Sequence, residues 1–320
     1  MRYGTIKGVD RPVSRIFLGT ASAPFSSGGD GSELLEAALE QGINAIDTAR
    51  VYGLSENSLG RWLEEPGNWE KVVLLSKCGH PAEDGTRRVR AGEMKKDLET
   101  SLEALRTDYV DIWLLHRDDP EIPVGEIMET FQEMKEKGRI RAFGGSNWAR
   151  RRIQEANEYA AAHGLQPMTA SSPQFGLANQ VTDPWGGNCV TISGPAGEED
   201  RKWYRESGMP VIAYSSLGRG MMSGRVRSGD PEGARQILDS FAQKGFLYPE
   251  NLERLRRCEK LAAEKGTTVP QTAMRWIFSQ GLNAFAVVSC SGPERIRKNA
   301  EALEISMTPE EAAWLDLREK

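Results

Sequence analysis

The chain has 320 residues, with 46 acidic and 41 basic side chains and a formal net charge of −5 at pH 7. That balance gives no general electrostatic reason to bind nucleic acid or an anionic membrane. A composition 39% apolar and 27% charged excludes a disordered chain. The length accommodates two domains of ~150 residues or one α/β barrel of ~250 residues with long loops. The 4 cysteines, Cys78, Cys189, Cys258 and Cys290, have no CxxC spacing, so neither a metal site nor a disulfide framework is expected. MRYGTIKGVDRPVSR shows no apolar run after its charges, and the longest apolar stretches fall far short of a span of ~18 residues. A cytoplasmic location is the resulting expectation.

Short apolar runs recur along the chain, most followed by a stretch of helical period. Residues 16–19 precede SELLEAALEQG, and residues 44–47 precede SENSLGRWLEE, where Ser55 is the expected helix cap. Residues 72–76 precede GEMKKDLETSLEAL, in which Met94, Leu98, Leu102 and Leu105 are spaced by three and four. Residues 110–115 precede VGEIMETFQEMKEKG, with Ile127, Phe131 and Met134 on one face. Residues 141–144 precede ARRRIQEANEYAAAHG. Residues 168–173 lead through a long irregular stretch to EEDRKWYRESG. Residues 210–214 run into LGRGMMSG, with helices near 250–265 and 270–280, and residues 285–288 precede PERIRKNAEAL.

These are eight strand–helix units, with strand runs too short to be helices. Glycines 42, 138, 164, 208 and 266 stand where left-handed helix stops belong. Such alternation requires parallel strands and crossover helices, and eight repeats predict an α/β fold of the (β/α)8 TIM barrel type. A doubly wound open sheet is the alternative. It ordinarily carries a phosphate loop, and neither GxGxxG after the first strand nor GxxxxGK[ST] is present. No composition break divides the chain, so one barrel domain over 1–320 is expected, with long loops at about 175–197 and 221–249.

In such a barrel, chemistry belongs at the carboxyl ends of the strands. Asp47 closes the second run, with Tyr52 in the loop beyond it; Lys77 follows the third run and His116 the fourth. Each alone has a plainer reading, as a turn cap, a loop aromatic, a surface lysine or a satisfied imidazole. Strands ~4.8 Å apart let the four converge. A phenol with a pKa of ~10 is a poor match to proton transfer at neutral pH, and a nearby ammonium is expected to lower that value. Asp47 would hold the ammonium, and His116 would orient a carbonyl oxygen. The set has no hydride source of its own, so a reduced cofactor is required.

The stretch AIDTARVYGLSENSLGRWLE, with LLSK and LLHRDDP, resembles the aldo-keto reductase family. The resemblance continues through GGSNW, SPQFGLAN, YSSLGRG and PERIRKN, in order and over nearly the whole chain. It implies a barrel that binds an extended nicotinamide cofactor, with the tetrad Asp47, Tyr52, Lys77 and His116 and Tyr52 as general acid. It implies that Ser146, Asn147 and Gln174 bond the carboxamide, with Tyr214 stacked on the ring. Ser215, Ser216, Leu217, Gly218 and Arg219 are implied at the pyrophosphate, with Gly19, Thr20 and Asp47 also against the cofactor. Ser289, Ser291, Arg295 and Asn299 are implied at the adenosine end. A guanidinium both stacks on adenine and pairs with a 2′-phosphate, so Arg295 favours NADPH over NADH, with dual use open. Three positions depart from the family pattern. Ser216 replaces a proline, which is expected to loosen its loop; Ser289 replaces a lysine carried by some members; Phe175 stands near where a tyrosine is common.

Members of one fold differ in their loops. Phe25, Trp148 and Trp185 are the candidates for an aromatic substrate wall, each with the alternative of packing its own loop. Arg117, Asp118 and Asp119 are candidates for binding substrate hydroxyls, with a solvated rim as the alternative. The substrates expected are polyols, sugar-derived carbonyls or simple aldehydes and ketones. His80 and His163 carry no assigned role. Two other functional classes remain open: a cofactor-sensing binding subunit of a larger membrane assembly, and a Schiff-base aldolase using Lys77.

Overall fold

Parallel strands flanked by crossover helices are buried on both faces and therefore read as continuous apolar runs. The structure, a computed structural model, describes residues 1–319 and turns those runs into strands. They follow an amino-terminal hairpin, β1 (Tyr3–Gly4) with β2 (Val13–Ser14), which is too short to leave a periodicity signal. The barrel strands are β3 (Ile16–Gly19), β4 (Ala45–Asp47), β5 (Val73–Cys78), β6 (Val110–Leu115), β7 (Ile140–Ser146), β8 (Ala170–Ser172), β9 (Val211–Ala213) and β10 (Ala284–Val288). They close in parallel in the order β10-β3-β4-β5-β6-β7-β8-β9, the (β/α)8 architecture. Among the described residues no helix is long and apolar enough to cross a membrane.

Two compact units make up the chain, one of Arg2–Ser172 with Ser289–Ile296, the other of Met1, Pro173–Val288 and Arg297–Lys320. In the first, helices α1 (Ser32–Glu40), α2 (Ser55–Leu63), α3 (Ala91–Leu105), α4 (Val124–Glu136) and α5 (Arg150–His163) follow successive strands. Their buried positions match the periodicity: Met94, Leu98, Leu102 and Leu105 on α3, and Ile127, Phe131 and Met134 on α4. Phe131 stacks on Phe143 of β7 at 4.7 Å between ring centroids, which docks α4 onto the sheet.

Two departures from the sequence reading in this unit bear on the site. β5 runs on through Lys77 and Cys78, because the lysine charge is paired inside the barrel and does not end the strand. Ser55 is the first residue of α2 and does not cap it; its hydroxyl donates to the Thr20 carbonyl at 2.6 Å, tying the loop after β3 to the helix.

The second unit opens its helices with α6 (Glu198–Ser207). Its segment 221–249 is not one irregular loop. It contains α7 (Pro231–Ile237) and α8 (Ser240–Phe246), each capped by an aspartate: Asp230 accepts from the Gly233 amide, and Asp239 from the Ala242 amide. Helices α9 (Pro249–Glu264) and α10 (Val269–Phe278) follow. Helix α11 (Pro293–Glu301) opens directly after Gly292, and α12 (Pro309–Leu315) comes last.

Candidate active site

Strand register decides which polar side chains meet. Asp47 lies opposite Leu75 of β5, and side chains two apart share a face, so Lys77 projects to the same side one step further on. The Lys77 ammonium donates to Asp47 Oδ1 at 2.5 Å and to the Thr48 carbonyl at 2.8 Å, and it lies 3.5 Å from the Tyr52 hydroxyl. Asp47 and Lys77 are 4% and 3% exposed, so this ion pair is shielded from water. The His116 amide extends the β5–β6 ladder by donating to the Cys78 carbonyl at 2.7 Å. Its ring meets Tyr52 edge to face at 5.8 Å between centroids. All four predicted residues therefore come together within the first unit.

Their protonation states follow from burial. Burial works against the Lys77 ammonium, but Asp47 and then Tyr52 outweigh it and hold the group above the ordinary lysine value. Burial raises the Asp47 carboxyl against the opposing pull of Lys77. Burial also raises Tyr52; Lys77 lowers it, Asp47 raises it, and the net direction is upward. The sequence expectation of a lowered phenol is corrected on this point: the lysine acts in the direction expected, and desolvation is the larger effect. Burial, then the charges of Lys77, Arg117 and His80, push His116 well below the usual imidazole range. Its ring is neutral at pH 7.

The loop beyond β6 is pinned by ion pairs rather than open to solvent. Arg152 pairs with Asp118 at 3.3 Å and Arg87 with Asp119 at 2.6 Å. Both aspartates are buried, so the loop is not the solvated rim expected as the alternative. Arg117 donates to the His116 carbonyl at 2.9 Å. His80, given no role from the sequence, lies edge to face against His116 at 5.0 Å. Its Nδ1 is 3.0 Å from the Pro81 carbonyl; a carbonyl only accepts, so Nδ1 carries the proton. His163 instead ends α5, stacked on Tyr159.

Among the other predicted residues of this unit, Gly19 pairs with Asp47 across the ladder and Thr20 Oγ1 donates to the Asp47 carbonyl at 3.0 Å. Ser146 ends β7 and donates to the Ser172 carbonyl at 2.9 Å. Asn147 adopts φ 59° and donates to the His116 carbonyl at 3.2 Å. Ser172 Oγ, absent from the sequence-derived set, is buried without a hydrogen-bond partner among the described residues. Ser289, Ser291 and Arg295 are exposed around the start of α11. Phe25 and Trp148 are 2% and 1% exposed. Trp148 folds over Gly145, where an added Cβ would lie 2.4 Å from the indole, and Phe25 does the same at Gly31.

In the second unit, Gln174 and Tyr214 are joined by a parallel bridge. Gln174 is fully buried, and its Nε2 has no hydrogen-bond partner among the described residues. Ser215, Gly218 and Arg219 all have positive φ, winding 215–219 into a tight turn closed by the Gly218 amide on the Ser215 carbonyl at 2.8 Å. Ser216 does not leave this turn loose. Its hydroxyl donates to the Ala213 carbonyl at 2.9 Å, tying the turn back to the end of β9. Leu217 is half-buried within the turn, and Asn299 is buried on α11. Trp185 is 37% exposed, 6.2 Å from both Tyr214 and Phe241, with the Arg219 guanidinium 5.3 Å from its ring.

The description "Aldo/keto reductase family" belongs to a family model that matches residues 15–317. YhdN of Bacillus subtilis, an aldo-keto reductase, is 28% identical over 88% of this chain and 82% of its own. The aldo-keto reductase str7 of Strobilurus tenacellus is 26% identical over 88% of this chain and 78% of its own. A putative voltage-gated potassium channel subunit beta of Schizosaccharomyces pombe is 28% identical over 86% and 80%. A thermostable aldo-keto reductase, solved with the inhibitor epalrestat, superposes with a TM-score of 0.72 at 25% identity, covering 99% of both chains. The chain belongs to the aldo/keto reductase family and is an NAD(P)H-dependent oxidoreductase.

Proposed function

We propose that this protein reduces a small aldehyde or ketone to the alcohol, with Tyr52 giving the proton to the carbonyl oxygen. The observation that carries this reading is the buried Asp47–Lys77 pair against the half-buried Tyr52, beside a neutral imidazole. A reduced nicotinamide, when bound, supplies the hydride. As Tyr52 loses its proton, the ammonium 3.5 Å away stabilises the phenolate, and Asp47 keeps that ammonium charged and in place. His116, being neutral, donates its single N–H to the carbonyl oxygen without replacing Tyr52 as the acid.

The residues present fit the cofactor. Ser172 Oγ and Gln174 Nε2 are buried polar atoms lacking partners among the described residues, at positions beside and within the set that the resemblance assigns to the carboxamide. Ser146, Asn147 and Gln174 would hold the carboxamide and Tyr214 its ring. Ser215, Ser216, Leu217, Gly218 and Arg219 would hold the pyrophosphate; Gly19, Thr20 and Asp47 would also lie against the cofactor, and Ser289, Ser291 and Asn299 would serve the adenosine end. Arg295 would pair with a 2′-phosphate, making NADPH the preferred cofactor. Titration of NADPH and NADH, followed by quenching of the 8 tryptophans, tests this. Arg295→Ala is expected to weaken NADPH by about tenfold and leave NADH unchanged, the value of one charge-assisted hydrogen bond. Equal losses for both would remove the 2′-phosphate role.

Exposed Val51 and Leu54 flank Tyr52. This apolar rim supports simple aldehydes and ketones over polyols, whose hydroxyls would want the aspartates already engaged in ion pairs. An aldolase reading is disfavoured, because a Schiff-base lysine needs a lowered pKa and Lys77 is held protonated.

The pH dependence follows from the directions of the shifts. Tyr52 acts in its protonated form and is pushed above the ordinary value of 10.0, while His116 stays neutral down through the acidic range. The rate of carbonyl reduction at saturating cofactor is therefore expected to be flat from about pH 6 to about pH 9 and to fall only in more alkaline solution. A sigmoidal step centred on the ordinary imidazole value of 6.5 would mean that His116 ionises during turnover.

A further inference from the structure

The segment 190–194 lies inside the long connection after β8 and is held on two sides. On one, the Gln174 amide donates to the Val190 carbonyl at 2.8 Å and the Ile192 amide donates to the Gln174 carbonyl at 3.0 Å. On the other, Arg201 of α6, only 1% exposed, donates to the Ile192 and Gly194 carbonyls at 2.5 and 2.7 Å. This places Thr191 beside the Gln174 side chain. The Thr191 hydroxyl accepts from the Ser193 amide at 3.1 Å and donates to Gln174 Oε1 at 2.5 Å. An amide oxygen only accepts, so the hydroxyl proton goes to Oε1. The Gln174 amide is thereby oriented with its oxygen satisfied and its NH2 buried without a partner among the described residues.

We propose that Thr191 is a positioning residue that locks the Gln174 side-chain amide as a hydrogen-bond donor, so that this position reads the carbonyl oxygen of the nicotinamide carboxamide and not its NH2. The inference rests on the reading above that Gln174 faces the carboxamide. An amide free to turn end for end presents either its NH2 or its oxygen; one whose oxygen is held against Thr191 turns its NH2 to the other side. Thr191 does not touch the cofactor. It acts by disfavouring the alternative orientation, in which the oxygen would face the ligand.

The test compares the dissociation constants of NADP+ and its 3-acetylpyridine analogue, which keeps the carbonyl oxygen and lacks the carboxamide NH2. Both are read by tryptophan quenching, without turnover. In Thr191→Val the amide is free to turn its oxygen towards the carboxamide NH2, a rescue open to NADP+ and closed to the analogue. The ratio of analogue to NADP+ dissociation constants is expected to rise by about fivefold to tenfold in Thr191→Val, one hydrogen bond's worth, and to return to the wild-type ratio in Thr191→Ser. A ratio unchanged in Thr191→Val, or one that serine fails to restore, would overturn the locking role. Gln174→Met separates the two layers. Affinities for both ligands unchanged in that variant would overturn the placement of Gln174 itself, and the inference with it.

Discussion

Tyr52→Phe is expected to lower the rate of carbonyl reduction by about 10²- to 10⁴-fold, the range for removing a general acid, while the NADPH dissociation constant stays within about twofold. The substitution removes one oxygen and keeps the ring, whose edge-to-face contact with His116 at 5.8 Å does not use the hydroxyl. The Lys77 ammonium keeps its bonds to Asp47 and the Thr48 carbonyl, so the buried pair survives. Stopped-flow measurement of the hydride-transfer step, with a parallel fluorescence titration, checks both halves. A variant that retains roughly a tenth or more of the wild-type rate would remove the acid role from Tyr52.

The second large effect is on the ion pair beneath it. Lys77→Met is expected to destabilise the fold by about 3–5 kcal/mol, because it leaves Asp47 as a buried carboxylate without its counter-ion. Asp47→Asn in the same background should recover part of that loss, since the double variant buries no charge. Urea denaturation of the two single variants and the double variant measures the coupling; strictly additive losses would mean the two charges do not interact. The lysine's contribution has a definite pH sign. Lys77 is raised above the ordinary 10.5, so its stabilisation is complete at neutral pH and is lost only as the pH climbs through the folded value. Lys77→Met should also lose turnover, because the phenolate of Tyr52 then has no positive charge beside it.

Much of this site was legible in the chain. Asp47, Tyr52, Lys77 and His116 stand at the ends of three consecutive apolar runs, and the barrel puts strand ends at one mouth. The two helices within 221–249 were also marked, by Asp230 before Pro231 and by Asp239 before Ser240, yet seven residues are too few for a 3.6-residue period to show. Three features had no local signal. The contact of His80 with His116 joins two different loops, and the engagement of Asp118 and Asp119 depends on arginines 34 and 32 positions away. The bond from Thr191 to Gln174 crosses 17 positions of irregular chain.

The sequence by itself determined the architecture and the membership of the tetrad. Strands buried on both faces must be continuously apolar, and helices that cover them must repeat every three and four residues, so both leave a readable pattern. Only the tertiary structure decided the protonation states. Whether a phenol rises or falls depends on how much water the fold removes and how close it brings each charge. For Tyr52 removal of water outweighs an ammonium 3.5 Å away, a balance that no spacing along the chain encodes.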